Sequence, residues 1–373
     1  MEKNKKRIFV EAHSLDSPYQ GSATYLINIY RKILSYEKNM IFYFASNNQD
    51  TLREKFGDFS NVVFIKYKFR NRFIRNFLEI PYLIFKHKIS VAHCTYILPF
   101  YKNKHCKYIL TMHDVLFEDY PEFFPFIYTI LRKFMFKISA QNADLIFTIS
   151  NYSKERIINH YNISPHKIQI TYCAVDEKIS NFSFSKDNSK NIINNNYGVK
   201  KYILYVSRIE KRKQQYQLLD LYIKNKIYEK GVNLVFIGSS TLNTKFLRLF
   251  DYHKKQNLYN NIFWFKNINF EHLKHFYNGA EFFIYPSRAE GFGMPPLEAS
   301  CINTPVLCAN NTAMQEFSFY DYMFDASNRE DFSSKLVDFL GRYKSLDTES
   351  VKEKINSKYS WAKSAKIVHS ELF

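Results

Sequence analysis

Short apolar segments of strand length alternate with helical patterns along this chain, and the alternation runs twice. In the first half the strand candidates are Arg7 to Ala12, Met40 to Ala45, Val62 to Tyr67, Val91 to Cys94, Tyr108 to Met112 and Leu145 to Ile149. In the second half they are Tyr202 to Val206, Asn233 to Ile237, Ile262 to Phe265, Glu281 to Tyr285 and Thr304 to Cys308. Helical patterns such as Tyr25 to Leu34, Gln215 to Ile227 and Glu271 to Tyr277 separate them. Ser150 reads as the N-cap of a helix running through Lys154, Glu155 and Ile158. Such alternation demands a parallel sheet covered on both faces. A chain of 373 residues is also too long for one ordinary core.

The halves meet in a polar, Asn-rich run from Ser180 to Lys200, which reads as an interdomain linker. The expectation is an α/β chain of two Rossmann-like doubly wound domains facing a cleft. They cover residues 1–180 and 201–360, with 181–200 as linker, and a helical end follows Trp361. Ligands of such sheets sit beyond the carboxyl ends of the strands.

Lys and Arg number 53 against 35 Asp and Glu, a net charge of +18. A basic surface suits phosphates on nucleic acid, anionic lipid or a nucleotide. Most of these lysines read as solvated, but residues 64–88 stand out. Lys66, Lys68, Arg70, Arg72, Arg75, Lys86 and Lys88 interleave there with Phe64, Phe69, Phe73, Phe77, Tyr82 and Phe85. Two readings fit: an anionic membrane surface, or an amphipathic helix packed on its own domain. Five cysteines without C-x-x-C spacing suggest reduced thiols in a cytoplasmic protein. The N-terminal apolar run Ile8-Phe9-Val10 is too short for a signal peptide, and no stretch is long enough to span a membrane.

Chemistry concentrates at strand ends. The string Ser287-Arg288-Ala289-Glu290-Gly291-Phe292-Gly293-Met294-Pro295-Pro296-Leu297-Glu298 sets two carboxylates around a Gly-x-Gly turn and a Pro-Pro pair that opens a helix. A helix N-terminus suits a phosphate, and a carboxylate suits a ribose diol. Glu298 is expected in the first turn of that helix. After the strand Tyr202 to Val206 come Arg208, Lys211, Arg212 and Lys213, a fit for a diphosphate clamp with Arg208 as fork and Lys213 as point charge. Thr111-Met112-His113-Asp114 places a histidine at another strand end, either structural or poised toward a sugar hydroxyl. The loop from Tyr19 to Thr24 with Gly21 either approaches a phosphate or simply starts a helix; it lacks the Walker and Gly-x-Gly-x-x-Gly patterns. No zinc spacing, His-Glu-x-x-His or Asp-x-Asp after an apolar strand is found, so no metal is expected. Cations would then neutralise a leaving diphosphate.

Together these motifs resemble the group 1 (family 4) retaining glycosyltransferases of the GT-B fold. The likeness rests on Gly21, on Thr111 to Asp114, on Ala143 to Ser150, on Ser207 to Lys213, on Phe236-Ile237-Gly238, on Pro286 to Ala299 and on Tyr359-Ser360-Trp361. It implies a nucleotide-sugar donor bound without a metal or other cofactor. Glu298 would hold the ribose, Arg208 and Lys213 the diphosphate, and Glu290 with the amides of Phe292 and Gly293 the donor sugar. His113 would reach the sugar from the first domain, and residues 361–373 would return to that domain as a helix. Transfer would retain anomeric configuration by same-face attack, a leaving phosphate oxygen taking the acceptor's proton. Three positions depart from the pattern: Ser207, Lys266 and Asn303 stand where glycine is usual.

The implied activity is transfer to a glycan or lipid-linked acceptor in surface polysaccharide synthesis, such as lipopolysaccharide, by a cytoplasmic or peripheral membrane protein. A nucleotide-sugar epimerase or isomerase would use the same fold without an acceptor. A non-catalytic nucleic-acid-binding protein would use the charge alone, but no helix-turn-helix, finger or RNP motif supports specific nucleic-acid binding.

Overall fold

The computed structural model describes residues 5–16, 21–240, 245–255 and 260–373. Tyr19 and Gln20 of the expected phosphate-approaching loop lie outside the described residues. The chain divides into two units, Met1–Cys173 with Ser360–Phe373, and Ala174–Tyr359.

The first unit holds β1 (Lys6–Glu11), β2 (Met40–Ser46), β3 (Val62–Lys66), β4 (Val91–Thr95), β5 (Lys107–Thr111), β6 (Leu145–Thr148) and β7 (Ile168–Ile170). They form one sheet in the order β3-β2-β1-β4-β5-β6-β7, and all neighbours run parallel. Apolar runs such as Ile8-Phe9-Val10 are buried on both faces, as a helix-covered parallel sheet requires. The second unit holds β8 (Tyr202–Val206), β9 (Asn233–Ile237), β10 (Ile262–Phe265), β11 (Phe282–Tyr285), β12 (Val306–Ala309) and β13 (Met323–Phe324). Their order is β10-β9-β8-β11-β12-β13, again parallel throughout. Both sheets therefore reverse winding beside their first strand, between β1 and β4 and between β8 and β11. These are the topological switch points of doubly wound sheets, where ligands bind beyond the strand ends.

The Asn-rich run 181–200 is not a linker. Lys186–Tyr197 is a helix of the second unit. The Ser185 side chain caps it by accepting from the Asn188 amide, and Gly198 ends it at φ 69°. Ser189 and Ile193 are buried against the helix Phe270–Gly279, where Asn278 Nδ2 donates to Ser189 Oγ at 2.8 Å. Asparagine is a poor helix former, so caps and packing overrode propensity. The division between units falls after Cys173, ahead of the expected residue 180, because the short helix Glu177–Ser180 belongs with the second unit.

Residues 64–88 pack on their own domain in part. After β3 come a short helix Arg72–Ile74, a π turn Arg75–Glu79 and a helix Ile80–Lys86. Ile80, Leu83 and Ile84 are buried, while Phe69, Phe73, Phe77, Tyr82 and Phe85 are exposed. Arg75 leaves the candidate membrane face: it is buried over the Tyr67 ring, with its guanidinium 3.4 Å from Asp16.

The C-terminal helix Trp361–Ser370 packs on the helix Gly21–Tyr36 of the first unit. Trp361 meets the Tyr25 ring edge-on at 6.1 Å, and Ala365, Val368 and Leu372 are buried. His369 is 2.7 Å from Glu37, and Glu371 is 3.0 Å from Lys107. Each unit carries one of the two tryptophans, Trp361 and Trp264. In a Trp264→Phe background, Leu372→Ala is expected to destabilise the first unit by about 2–5 kcal/mol, read as a shifted urea midpoint of Trp361 fluorescence. An unchanged midpoint would show that this segment does not stabilise the first unit.

Candidate active site

At the switch point of the second sheet, the segments leaving β8 and β11 meet through charge. Lys213 lies in a single 3-10 turn, Lys211–Lys213, and Glu290 lies in the loop after β11. Both are buried, and Lys213 Nζ donates to Glu290 Oε1. Tyr285 OH donates to the same oxygen at 2.9 Å, and Arg212 reaches Glu290 Oε2 at 3.1 Å. Arg212 also pairs with Glu210 at 2.9 Å. Burial alone would raise the Glu290 pKa, but Lys213 and Arg212 override it and hold the carboxyl near 2. Burial lowers Lys213 to about 8, against the pull of Glu290. The pair is thus a carboxylate and an ammonium at neutral pH.

Arg208 stands apart from this buried pair. It is exposed and its guanidinium contacts Glu210 at 3.1 Å. Gln215 Nε2 donates to the Arg208 carbonyl at 2.7 Å. Of the two expected diphosphate cations, only Lys213 is buried, and Arg208 is the accessible one.

Gly293 adopts φ 103° as N-cap of the helix Met294–Cys301. A Cβ there would lie 3.0 Å from Met314 Cγ and 3.3 Å from Phe317, so glycine is needed for space as well as conformation. Gly291 precedes it in the same buried turn. The Phe292 side chain is core, packed edge-on against Phe317 and Tyr359. Pro295 and Pro296 remove two amides that this helix start would otherwise have to satisfy. Glu298 is the fifth residue of the helix, just past the first turn where it was expected. It accepts from Tyr277 OH at 2.8 Å, and burial raises its pKa, opposed by that hydrogen bond.

Three residues were given no role of their own from sequence, although Arg212 and Gly238 stand inside named motifs. Arg212 lay hidden in a run of cations. Gly238 has φ 145°, and a Cβ there would sit 2.1 Å from the Ser207 carbonyl oxygen, so the ends of β8 and β9 approach only through glycine. Thr312 has φ 55°, an uncommon conformation for a β-branched residue. Its hydroxyl receives the Glu290 amide at 2.9 Å and lies 3.1 Å from the Glu290 carbonyl oxygen. The strained residue fixes the backbone on both sides of the site carboxylate. Of the departures from the glycine pattern, Asn303 takes φ 60° as expected. Lys266 is exposed with its ammonium 5.2 Å from the Trp264 ring.

His113 and Gly21 belong to the first unit. Gly21 is exposed at the start of the helix Gly21–Tyr36. His113 follows β5, buried between Tyr25 at 4.9 Å and Tyr96 at 5.4 Å. Burial, with His93 adding to it, lowers its pKa to about 3, so the imidazole is neutral. Among the described residues, no group of three or more His, Cys, Asp or Glu side chains is placed to hold a metal ion.

The comparisons agree with this architecture. The model of "Glycosyl transferases group 1" matches residues 186–346, and that of "Glycosyltransferase Family 4" matches residues 19–178. The chain belongs to the group 1 (family 4) glycosyltransferases. The O-antigen chain mannosyltransferase RfbU of Salmonella typhimurium is 27% identical over 62% of this chain and 59% of its own length. A Campylobacter jejuni N-acetylgalactosamine-N,N'-diacetylbacillosaminyl-diphospho-undecaprenol 4-alpha-N-acetylgalactosaminyltransferase is 27% identical over 52% of this chain and 49% of its own length. The matches thus span about half the length of these curated relatives. Among solved structures, Anabaena HepE in complex with UDP and glucose superposes with TM-score 0.72 at 14% identity, covering 98% of this chain and 99% of that one. A Rickettsia africae glycosyltransferase gives 0.73 at 16% identity, covering 99% of this chain and 98% of that one. The fold of the chain is that of the GT-B glycosyltransferases.

Thr312→Ala is expected to destabilise the second unit by about 1–3 kcal/mol, because the Glu290 amide loses its buried acceptor. Thr312→Gly loses the same hydroxyl but regains roughly 1–2 kcal/mol of left-handed strain. The glycine variant should therefore unfold at the higher urea concentration, read by Trp264 fluorescence in a Trp361→Phe background. The reverse order would remove strain at residue 312 from the account.

Proposed function

We propose that the protein transfers a sugar from a nucleotide-sugar donor to a glycan or lipid-linked acceptor in surface polysaccharide synthesis, with retention of anomeric configuration and without a metal. The observation that carries this reading is the buried Lys213–Glu290 pair at the β8/β11 switch point. The relatives' roles support the pathway: RfbU is an O-antigen chain mannosyltransferase, and CapM of Staphylococcus aureus is a capsular polysaccharide biosynthesis glycosyltransferase.

Each residue's role follows from its chemistry. The Lys213 ammonium and the accessible Arg208 guanidinium neutralise charge developing on the leaving diphosphate. Glu290, ionised at every working pH, accepts hydrogen bonds from donor-sugar hydroxyls. Glu298 takes the ribose diol with Tyr277 already orienting it. His113, neutral, offers one donor and one acceptor nitrogen to the sugar. The acceptor hydroxyl attacks the anomeric carbon on the face the diphosphate leaves, and a departing phosphate oxygen takes its proton. The protein works at the membrane surface, meeting anionic lipid through residues 64–88. Among the described residues no helix is long and apolar enough to cross a membrane.

A thermal-shift screen of UDP, GDP, dTDP and ADP sugars should single out one base, since a bound donor stabilises the fold by mass action. Lys213→Ala and Glu290→Gln should each lower kcat/KM for transfer by about 100-fold or more while the protein stays folded; full activity in either would overturn the roles. Conversion of the donor without an acceptor would instead mark an epimerase.

The charge on Lys213 also sets a pH limit. It is present below about pH 8 and lost above it. Calorimetric affinity for the nucleoside diphosphate should fall above that pH, toward tenfold per unit. Lys213→Arg should bind with no such fall, and a flat profile in the unaltered protein would exclude Lys213 as the diphosphate cation.

A further inference from the structure

The first sheet has its own cationic switch point, between β1 and β4. Tyr96 leaves β4 with φ 67°, a left-handed conformation rare for an aromatic residue. Its ring stacks on Phe136 at 5.4 Å and meets the His113 edge at 5.4 Å. Two guanidiniums flank this strained corner. Arg72 donates to the Thr95 carbonyl at 3.4 Å, and the Arg132 guanidinium lies 5.9 Å from the Tyr96 ring and 4.1 Å from the Tyr128 ring. Among the described residues neither makes an ion pair, although Arg75 pairs with Asp16 and Glu11 with His13. Burial depresses the Arg72 pKa, opposed by Glu11 and reinforced by Arg132 and Arg75. Two like charges held beside a strand end, in a doubly wound sheet, make a site for an anion.

An apolar surface leads away from it. The helix Phe126–Asn142 buries Phe136, Ser139 and Ala140 on its inner face. Its outer face carries Phe126, Ile127, Ile130, Leu131 and Phe134, with Phe126 78% and Phe134 68% exposed. Such a helix, apolar on the solvent side, is unusual for a water-facing surface. Phe134 lines a groove of about 100 Å³ with Ile97, Leu98, Pro99 and Phe100. Phe100 in turn meets Phe77 at 5.9 Å, so the groove joins the exposed aromatics of residues 69–85. An apolar face thus runs up to the two guanidiniums at the Tyr96 corner.

We propose that this corner binds the diphosphate of an isoprenoid-diphosphate-linked acceptor, with Arg72 and Arg132 on the phosphates and the groove at Phe134 on the isoprenoid chain. The proposal rests on the reading that the acceptor is lipid-linked, and it names the lipid's chemistry. Charge complementarity selects the occupant. A neutral partner would leave both guanidiniums idle, and a bare phosphate would leave the apolar face uncovered.

The test uses the full chain with farnesyl diphosphate, inorganic diphosphate and phosphatidylglycerol vesicles as probes. Farnesyl diphosphate should bind at least tenfold more tightly than inorganic diphosphate. The double variant Arg72→Gln/Arg132→Gln should lose that binding by tenfold or more, yet keep its affinity for a nucleoside diphosphate, which also shows that it is folded. Phe134→Ser should weaken farnesyl diphosphate and leave inorganic diphosphate unchanged. Equal binding of the two diphosphates, or no effect of the double variant, would overturn the proposal. So would vesicle binding that depends on the arginines without any preference for farnesyl diphosphate, since the face would then be a general bilayer contact. The wider reading fails separately: it is lost if the unaltered protein transfers no sugar from any nucleotide-sugar donor.

Discussion

The second unit is organised around one buried ion pair. Removing Lys213 and Glu290 from water costs several kcal/mol per charge in real proteins, and their attraction alone does not guarantee repayment. The surrounding groups supply the balance. Tyr285 and Arg212 bind the carboxylate, and Thr312 grips the backbone at Glu290. Arg212 ties the segment after β8 to that after β11, through its carboxylate contact and a hydrogen bond from the Arg288 amide to its carbonyl. Such a pair is poor as a stabiliser and good as a specifier: it holds a charge of each sign at a fixed place before any ligand arrives. The close approach permitted by Gly238 and Gly293 serves the same geometry.

What was legible in the sequence follows from how local the cause is. Most strands were visible because parallel, doubly covered strands must be apolar runs, but the short edge strands β7 and β13 were not. The Glu290 to Glu298 string was visible because its glycines and prolines dictate backbone shape within a few residues. Ser150 was readable as a cap for the same reason. The helix Lys186–Tyr197 was missed because six asparagines between Ser180 and Lys200 outweighed a serine and a glycine set at the spacing of its two caps. Glu298 was placed slightly early because Gly293 rather than a proline sets the helix start. Arg212 could not be told apart from the other clamp cations, and Thr312 could not be found at all. Choosing one cation from four requires knowing which faces the next strand, and a left-handed threonine contradicts its own propensity.

The two sheets solve different electrostatic problems at equivalent places. In the second unit the switch point holds cations already answered by carboxylates, so a donor diphosphate would exchange one set of ionic partners for another. In the first unit Glu11 is answered by His13, and the guanidiniums of Arg72 and Arg132 are held by aromatic rings and a carbonyl. Rings fix an arginine through its face and leave its edge of N–H donors available. The first arrangement holds a buried carboxylate ionised, and the second keeps donors ready.

His113 fits that division. Burial between Tyr25 and Tyr96, with His93 close by, keeps its imidazole neutral. A neutral ring can accept from one hydroxyl while donating to another, and its hydrogen-bonding does not change with pH across the working range. It is therefore suited to orient a sugar rather than to shuttle a proton.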